Sequence, residues 1–296
     1  MKPEIIVFDI DGVLIDTSRS FRCAVSRTVQ YYMTEILGYK DTGILIEPEE
    51  VQLFKLAGGF NDDWILSQSA ILFFLYKGLK YELGDTGSIR LALPSLIEFT
   101  GAISSYKDGG LEKTRRYLAG LDGDILNKAE EKLDRSLVIR IFQEIYAGSD
   151  YVERLYGSKP ILEREEGLWK NERVILDKSL LLEDVFYGIY TGRTASETQL
   201  ALEILKLDIP SGAIVTMGSS IAKPDPKGLE IIREYYKKGI LAFVGDSMDD
   251  VLSAINAKAI PVAIANDKIS RERFSHHTSL IFSDVNEYLR YLRGSK

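Results

Sequence analysis

Two aspartates, Asp9 and Asp11, stand two residues apart at the end of the apolar run Ile5-Ile6-Val7-Phe8, within the stretch VFDIDGVLID. The run fits a strand buried on both faces of a parallel sheet. A buried carboxylate is costly unless something compensates it, and if strand geometry persists both side chains point the same way. Paired carboxylates so placed suit a cation. Three further groups follow along the chain: Thr191 and Gly192 in YTGR, Lys223 in KPDP, and Asp246, Asp249 and Asp250 in FVGDSMDD. Magnesium prefers hard oxygen ligands, a few carboxylates together with phosphate and water, and Asp9, Asp246 and a backbone carbonyl could supply them. A carboxylate beside a phosphate can attack phosphorus and form an aspartyl-phosphate. Asp11 is then free to protonate the leaving oxygen and afterwards to activate water. Thr191 has a hydroxyl to donate to a phosphate oxygen, Gly192 lets backbone approach closely beside a helix N-terminus, and Lys223 adds a positive charge.

Each of these residues also has an ordinary explanation. Asp-x-Asp-Gly suits a turn, Thr191 a strand end, Lys223 a solvated surface, and Asp249 or Asp250 a helix N-cap. Jointly those explanations fare badly, because four groups in this order each sit at the end of an expected strand. Carboxyl ends of parallel strands are where open α/β sheets bind ligands.

The elements that would hold these groups are legible. Strands are expected at 185–190, 213–217, 241–244 and 260–264. Helices are expected from about Thr194 to Lys206, opened by the capping pattern Thr194-Ala-Ser-Glu197, from near Pro226, and from Asp249 to Ala257. With the N-terminal strand these make an open parallel sheet with helices on its faces, an α/β fold. From about Ser18 to Arg164 apolar residues recur instead at helical spacing, as in Phe21, Ala24, Val25, Thr28, Val29 and Tyr32. The segments Trp64 to Tyr76, Leu96 to Tyr106, Leu111 to Leu118 and Leu137 to Tyr146 read the same way. The expected division is a core of residues 1–17 and 165–296 and a mainly helical insertion of 18–164. The charge-rich piece Lys128 to Arg135 is read as a solvated helix face.

Composition narrows the partners. The 296 residues carry a net charge of −7, which argues against a general binder of nucleic acid or membrane surfaces. One cysteine, Cys23, leaves no internal disulfide and no cysteine-built zinc site, and the two adjacent histidines, His276 and His277, make a histidine cluster a poor expectation. A strand-like run directly at the start suggests no signal peptide, and no apolar stretch is long enough for a bilayer. The expectation is a cytoplasmic protein, with monomer and homodimer both open.

Together, DIDGVLID, YTGR, KPDP and GDSMDD resemble the motifs of the haloacid dehalogenase superfamily of hydrolases. The resemblance covers about residues 1–17 and 165–296. It implies a Rossmannoid core, Mg2+ and an aspartyl-phosphate intermediate. It implies Asp9 as nucleophile and Asp11 as general acid and base. Asp9, the main-chain carbonyl of Asp11 and Asp246 would hold Mg2+, with Asp250 in its outer shell, and Gly12, Thr191, Gly192 and Lys223 would bind phosphate. Dehalogenases proper lack the second aspartate of the first motif, so Asp11 favours phosphate chemistry. Gly192 stands where many relatives have asparagine. The insertion resembles the helical cap of subfamily I, which includes phosphoglycolate phosphatase and β-phosphoglucomutase, and is longer than usual. The segments FKLAGGFNDDW and IFQEIYAGSDY resemble a phosphatase-like branch of that subfamily. These likenesses imply a Mg2+-dependent phosphatase acting on a small phosphorylated metabolite. The alternatives are a phosphomutase of the same fold and a catalytically silent binding protein. In capped relatives a loop such as KLAGGFNDDW closes over the site, which implicates Lys55 and Asn61 in substrate choice. The same stretch also reads as Gly58 ending one helix and Asn61 or Asp62 capping the next.

Overall fold

A computed structural model describes residues 2–162, 165–216 and 221–294. The chain divides into two compact units, one of Met1–Thr17 with Arg173–Lys296, the other Ser18–Glu172. The return to the first unit therefore falls at Arg173; Arg164, where the sequence suggests the insertion ends, lies outside the described residues.

The strands are β1 (Ile5–Phe8), β2 (Ile15–Asp16), β3 (Arg173–Val174), β4 (Phe186–Tyr190), β5 (Ile214–Val215), β6 (Leu241–Gly245), β7 (Ile260–Ile264) and β8 (Ile281–Phe282). Six form one sheet in the order β5-β4-β1-β6-β7-β8, with every neighbouring pair parallel. The short β2 and β3 pair antiparallel where the chain leaves and re-enters this unit. From β4 the chain steps outward to β5, then returns across β1 to β6 and runs outward the other way. The winding thus reverses about β1, and a crevice at the carboxyl ends of strands on either side of such a reversal is the expected ligand site of an open α/β sheet.

The apolar run in β1 is explained by burial on both faces. Ile6 and Phe8 join Ile189, Val244 and Val262 against helices at Ala195–Leu205 and Val285–Gly294. Ile5 and Val7 join Val215 and Phe243 against helices at Lys227–Tyr236 and Met248–Asn256. Register puts Phe8 beside Ile189 on one side and Val244 on the other, so β1, β4 and β6 end level with one another.

The second unit is helical. Among its described residues are α1 (Phe21–Tyr31), α2 (Val51–Ala57), α3 (Asp63–Lys80), α4 (Thr86–Leu91), α5 (Leu96–Ile103), α6 (Gly110–Leu121), α7 (Gly123–Glu131), α8 (Arg135–Ala147) and α9 (Val152–Tyr156). The long α3 is buried at nearly every position from Leu66 to Gly78 and packs against α1, α6, α7 and α8. An all-round apolar helix is what the centre of a helical unit requires. No described helix is long and apolar enough to cross a membrane.

Two local expectations change. Lys128–Arg135 is not one helix face: α7 ends at Glu131, Leu133 is buried, and the Asp134 side chain accepts from Leu137 N to cap α8. The charges cluster there because two helix ends meet, not because one helix continues. The strand expected at 213–217 is shorter: Ala213 closes a turn that begins at Ser211, and β5 covers Ile214–Val215; Met217 lies outside the described residues.

Candidate active site

Asp9 follows β1 directly, and its N–H donates to Val244 O (2.9 Å), which extends the β1–β6 ladder into the site. The strand ends there. Residues 10–15 curl into a tight turn in which the N–H groups of Leu14 and Ile15 donate to Ile10 O, and Gly12 donates to Ile15 O. Alternation along a strand therefore does not place Asp11; the turn does. Gly12 is required twice over. Its φ is +72°, and a Cβ there would collide with Asp246 Oδ2.

Asp246 follows β6, the neighbour of β1. One oxygen from each of Asp9, Asp246 and Asp250 falls within 4.8 Å of the others, and all three residues are buried. The helices that follow β4, β5 and β6 are α10 (Ala195–Leu205), α11 (Lys227–Tyr236) and α12 (Met248–Asn256), and Asp250 lies in the first turn of α12. Ser247 caps α12, and Asp250 closes the capping box by accepting Ser247 N (3.0 Å) and Oγ (2.6 Å) at Oδ2. Its other oxygen, Oδ1, lies 2.6 Å from Lys223 Nζ, and Asp9 Oδ1 lies 2.9 Å from the same nitrogen. Neither Oδ1 has a well-aligned hydrogen bond, so charge attraction holds them. Asp249 is buried beside this group but is not part of the three-carboxylate cluster.

Lys223 is held among its partners. Its ammonium sits over the rings of Tyr190 (5.6 Å) and Phe243 (5.4 Å). The loop carrying it is fastened by Tyr190 Oη donating to Asp225 O and Asn256 Nδ2 donating to Pro224 O. Burial alone would lower the Lys223 pKa, but the carboxylates of Asp250 and Asp9 outweigh that and hold it above the ordinary lysine value. Burial raises Asp9 to about 7; Lys223 opposes this, while Asp250, Asp11 and Asp246 add to it. Three buried carboxylates against one ammonium leave a cluster short of positive charge. All of the donors are oxygens, so the set fits a hard divalent cation such as Mg2+.

Thr191 follows β4, with its N–H donating to Val215 O and its Oγ1 accepting from Arg193 N (3.2 Å). Among the described residues no group accepts from this hydroxyl. Gly192 lies between them, ahead of α10, whose box of Thr194 and Glu197 matches the sequence pattern.

The sequence reading passed over Arg193, although YTGR contains it. Its guanidinium is buried and donates to Asp11 Oδ1 from both Nε (3.0 Å) and Nη2 (2.7 Å). The available signal was an arginine between a strand end and a capped helix, where a long cation has little solvent to enter. Ser247 was also missed, although Ser-x-x-Asp before an apolar helix is a capping pattern.

Lys55 and Asn61 lie in the second unit. Lys55, in the last turn of α2, has its Nζ 3.6 Å from Asp63 Oδ1. Gly58 ends α2 with φ +76°, and Asp62, not Asn61, caps α3 by accepting from Trp64 N and Ile65 N. The loop between these helices is latched to α6: Lys113 Nζ donates to the carbonyls of Ala57 (2.9 Å) and Gly58 (3.1 Å), and Gly110 N to Gly59 O.

No protein-family model and no curated protein matches the chain. Solved structures do. The chain is similar to phosphatase Tt82 from Thermococcus thioreducens, with 27% identity over 98% of this chain and 99% of that one and a TM-score of 0.62. Its fold is also similar to that of a proposed phosphoglycolate phosphatase from Lactobacillus delbrueckii subsp. bulgaricus (15% identity, 99% of both chains, TM-score 0.58). A predicted phosphoglycolate phosphatase from Haemophilus somnus shares it too (13% identity, 98% of both chains, TM-score 0.52). The four motifs thus converge at the carboxyl ends of one doubly wound sheet, in a chain with a helical insertion after the first strand that is similar over its full length to the archaeal phosphatase.

Proposed function

We propose that the protein is a Mg2+-dependent phosphatase that hydrolyses a small phosphorylated metabolite through an aspartyl-phosphate on Asp9. The observation that carries this reading is the buried cluster of Asp9, Asp246 and Asp250 around Lys223 at the end of β1, supported by the likeness to the archaeal phosphatase. Asp9, Asp246 and the main-chain carbonyl of Asp11 would hold Mg2+, with Asp250 behind them. When bound, the ion would supply positive charge that favours ionised Asp9 and offsets the negative charge of the phosphate.

The chain's own groups do the rest. A carboxylate oxygen of Asp9 attacks phosphorus while the bond to the leaving oxygen breaks, and Asp11 gives that oxygen its proton. Thr191 Oγ1, the backbone N–H of Gly192 and the Lys223 ammonium donate to the phosphate oxygens; the N–H of Gly12, expected to join them, is taken by Ile15 O. Asp11 then takes a proton from water, which attacks the aspartyl-phosphate; the bond between phosphorus and Asp9 breaks and inorganic phosphate departs. These residues read only the phosphoryl group, which every phosphomonoester shares. Selection among substrates is therefore assigned to the second unit, with Lys55 and Asn61 as the residues to test.

Asp9→Asn decides the mechanism. The variant should melt near the wild type, release no phosphate from a panel of phosphorylated metabolites, and form no hydroxylamine-sensitive phosphoenzyme. Turnover near the wild-type rate would sink the assignment. Chelation should stop the wild-type enzyme and Mg2+ should restore it, whereas Ca2+ should bind and support little turnover because its looser coordination suits in-line transfer poorly. Full activity after exhaustive chelation would exclude the metal. Isomer formation without free phosphate would point to phosphoryl return instead.

A further inference from the structure

We propose that Arg193 is the positioning residue of Asp11: it clamps one carboxylate oxygen, Oδ1, and so presents the other, Oδ2, for proton transfer. The inference rests on the phosphatase reading above.

Asp11 needs such a device. Asp9 is fixed by the β1–β6 ladder and by Lys223, but Asp11 lies past the end of the strand, in a turn, and its side chain is 14% exposed. Nothing in that turn fixes the carboxylate. Arg193 does, from the neighbouring strand end. Its side chain is 1% exposed, and a buried guanidinium is tolerated only against a well-placed acceptor. Both Nε and Nη2 converge on Oδ1, whereas no described residue donates to Oδ2. A clamp on one oxygen orients the carboxylate and leaves the second oxygen for the leaving group and then for water. The clamp is also tied to the phosphate site, because Arg193 N donates to Oγ1 of Thr191 two residues before it. The group proposed to hold the phosphate and the group that aims the acid therefore share one turn. Lysine at this position would keep the charge but lose the planar fork.

Leaving groups that differ in their need for a proton provide the test. Full-length wild type, Arg193→Met and Arg193→Lys are loaded with Mg2+ and mixed rapidly with 2,4-dinitrophenyl phosphate or phenyl phosphate. Dinitrophenolate departs without a proton, so its burst of about one equivalent per enzyme should persist in the variants at near the wild-type rate. Phosphoenzyme should then accumulate, since activation of water also depends on Asp11. The first turnover of phenyl phosphate should fall by roughly 100-fold, the scale of general acid catalysis, and less in Arg193→Lys than in Arg193→Met. Melting temperature is the folding control. Equal losses on both substrates, or none on either, in folded variants would overturn the role given to Arg193. Failure of both variants to fold would assign the residue to the core and overturn it as well. A wild type that hydrolyses neither substrate would instead overturn the phosphatase reading.

Discussion

At the scale of single residues, Asp9 and Gly12 carry the sharpest consequences. The Asp9 carboxyl is raised by burial to about 7 from 3.8. The folded chain thus binds this proton more tightly than the unfolded one does. The associated stability is present at low pH and is lost as pH rises from about 4 through 7. Metal-free protein should therefore melt lower at about pH 7.5 than at about pH 5.5 by way of this group, and Asp9→Asn should flatten the difference. Mg2+ should raise the melting temperature most at the higher pH. An unchanged slope in Asp9→Asn, followed by scanning calorimetry with chelator, would refute this. Gly12→Ala meets two costs, a positive φ worth roughly 1–2 kcal/mol and a collision with Asp246 Oδ2. It should lower stability by at least that amount and weaken Mg2+ binding measured by titration calorimetry.

Helix termini do the positioning at the scale of elements. The box of Ser247 and Asp250 caps α12 and at the same time fixes one oxygen of Asp250, leaving the other to Lys223. The box of Ser95 and Glu98 caps α5 in the second unit in the same way, and neither residue belongs to the carboxylate cluster found among the described residues. Ser247→Ala and Ser95→Ala should each cost roughly 0.5–2 kcal/mol in denaturant unfolding. Only Ser247→Ala should also slow phosphate release. Equal activity in the two variants would mean that the cap does not orient Asp250. Elements of this kind differ in how far sequence announces them. The box at Thr194 to Glu197 and the helices from Phe21, Asp63 and Leu96 are legible because caps and a 3.6-residue period act locally. The two-residue β2, β3 and β8 show no period at all, and partners distant in the chain create them.

For the whole molecule, the carboxylates proposed to hold the metal belong to one of two compact units. Ligand at 100 times its dissociation constant stabilises the state that binds it by about 2.7 kcal/mol. Hydrogen exchange with and without Mg2+ should show that protection concentrated at the ends of β1, β4 and β6 and in α12, with the central α3 of the second unit little changed. Uniform protection across both units would contradict a metal site confined to the first. In the second unit, Lys113→Met removes the cation that holds the carbonyls of Ala57 and Gly58. It should cost about 1–3 kcal/mol while leaving Mg2+ affinity unchanged in titration calorimetry.

Sequence by itself determined the α/β class, the strands that end in carboxylates, the four motifs and their order. Each of these rests on local chemistry: apolar runs, caps, and residue types suited to phosphate and a hard cation. Only the tertiary structure decided which charges meet. It made Lys223 the shared partner of Asp9 and Asp250, chose Asp250 over Asp249 for the cluster, and gave Asp11 to Arg193, 182 residues away in the chain. The reason is geometric. Asp11 lies beyond the strand whose alternation would have foretold its direction, and sheet order brings β4 and β6 to the two sides of β1 only after the intervening chain has folded.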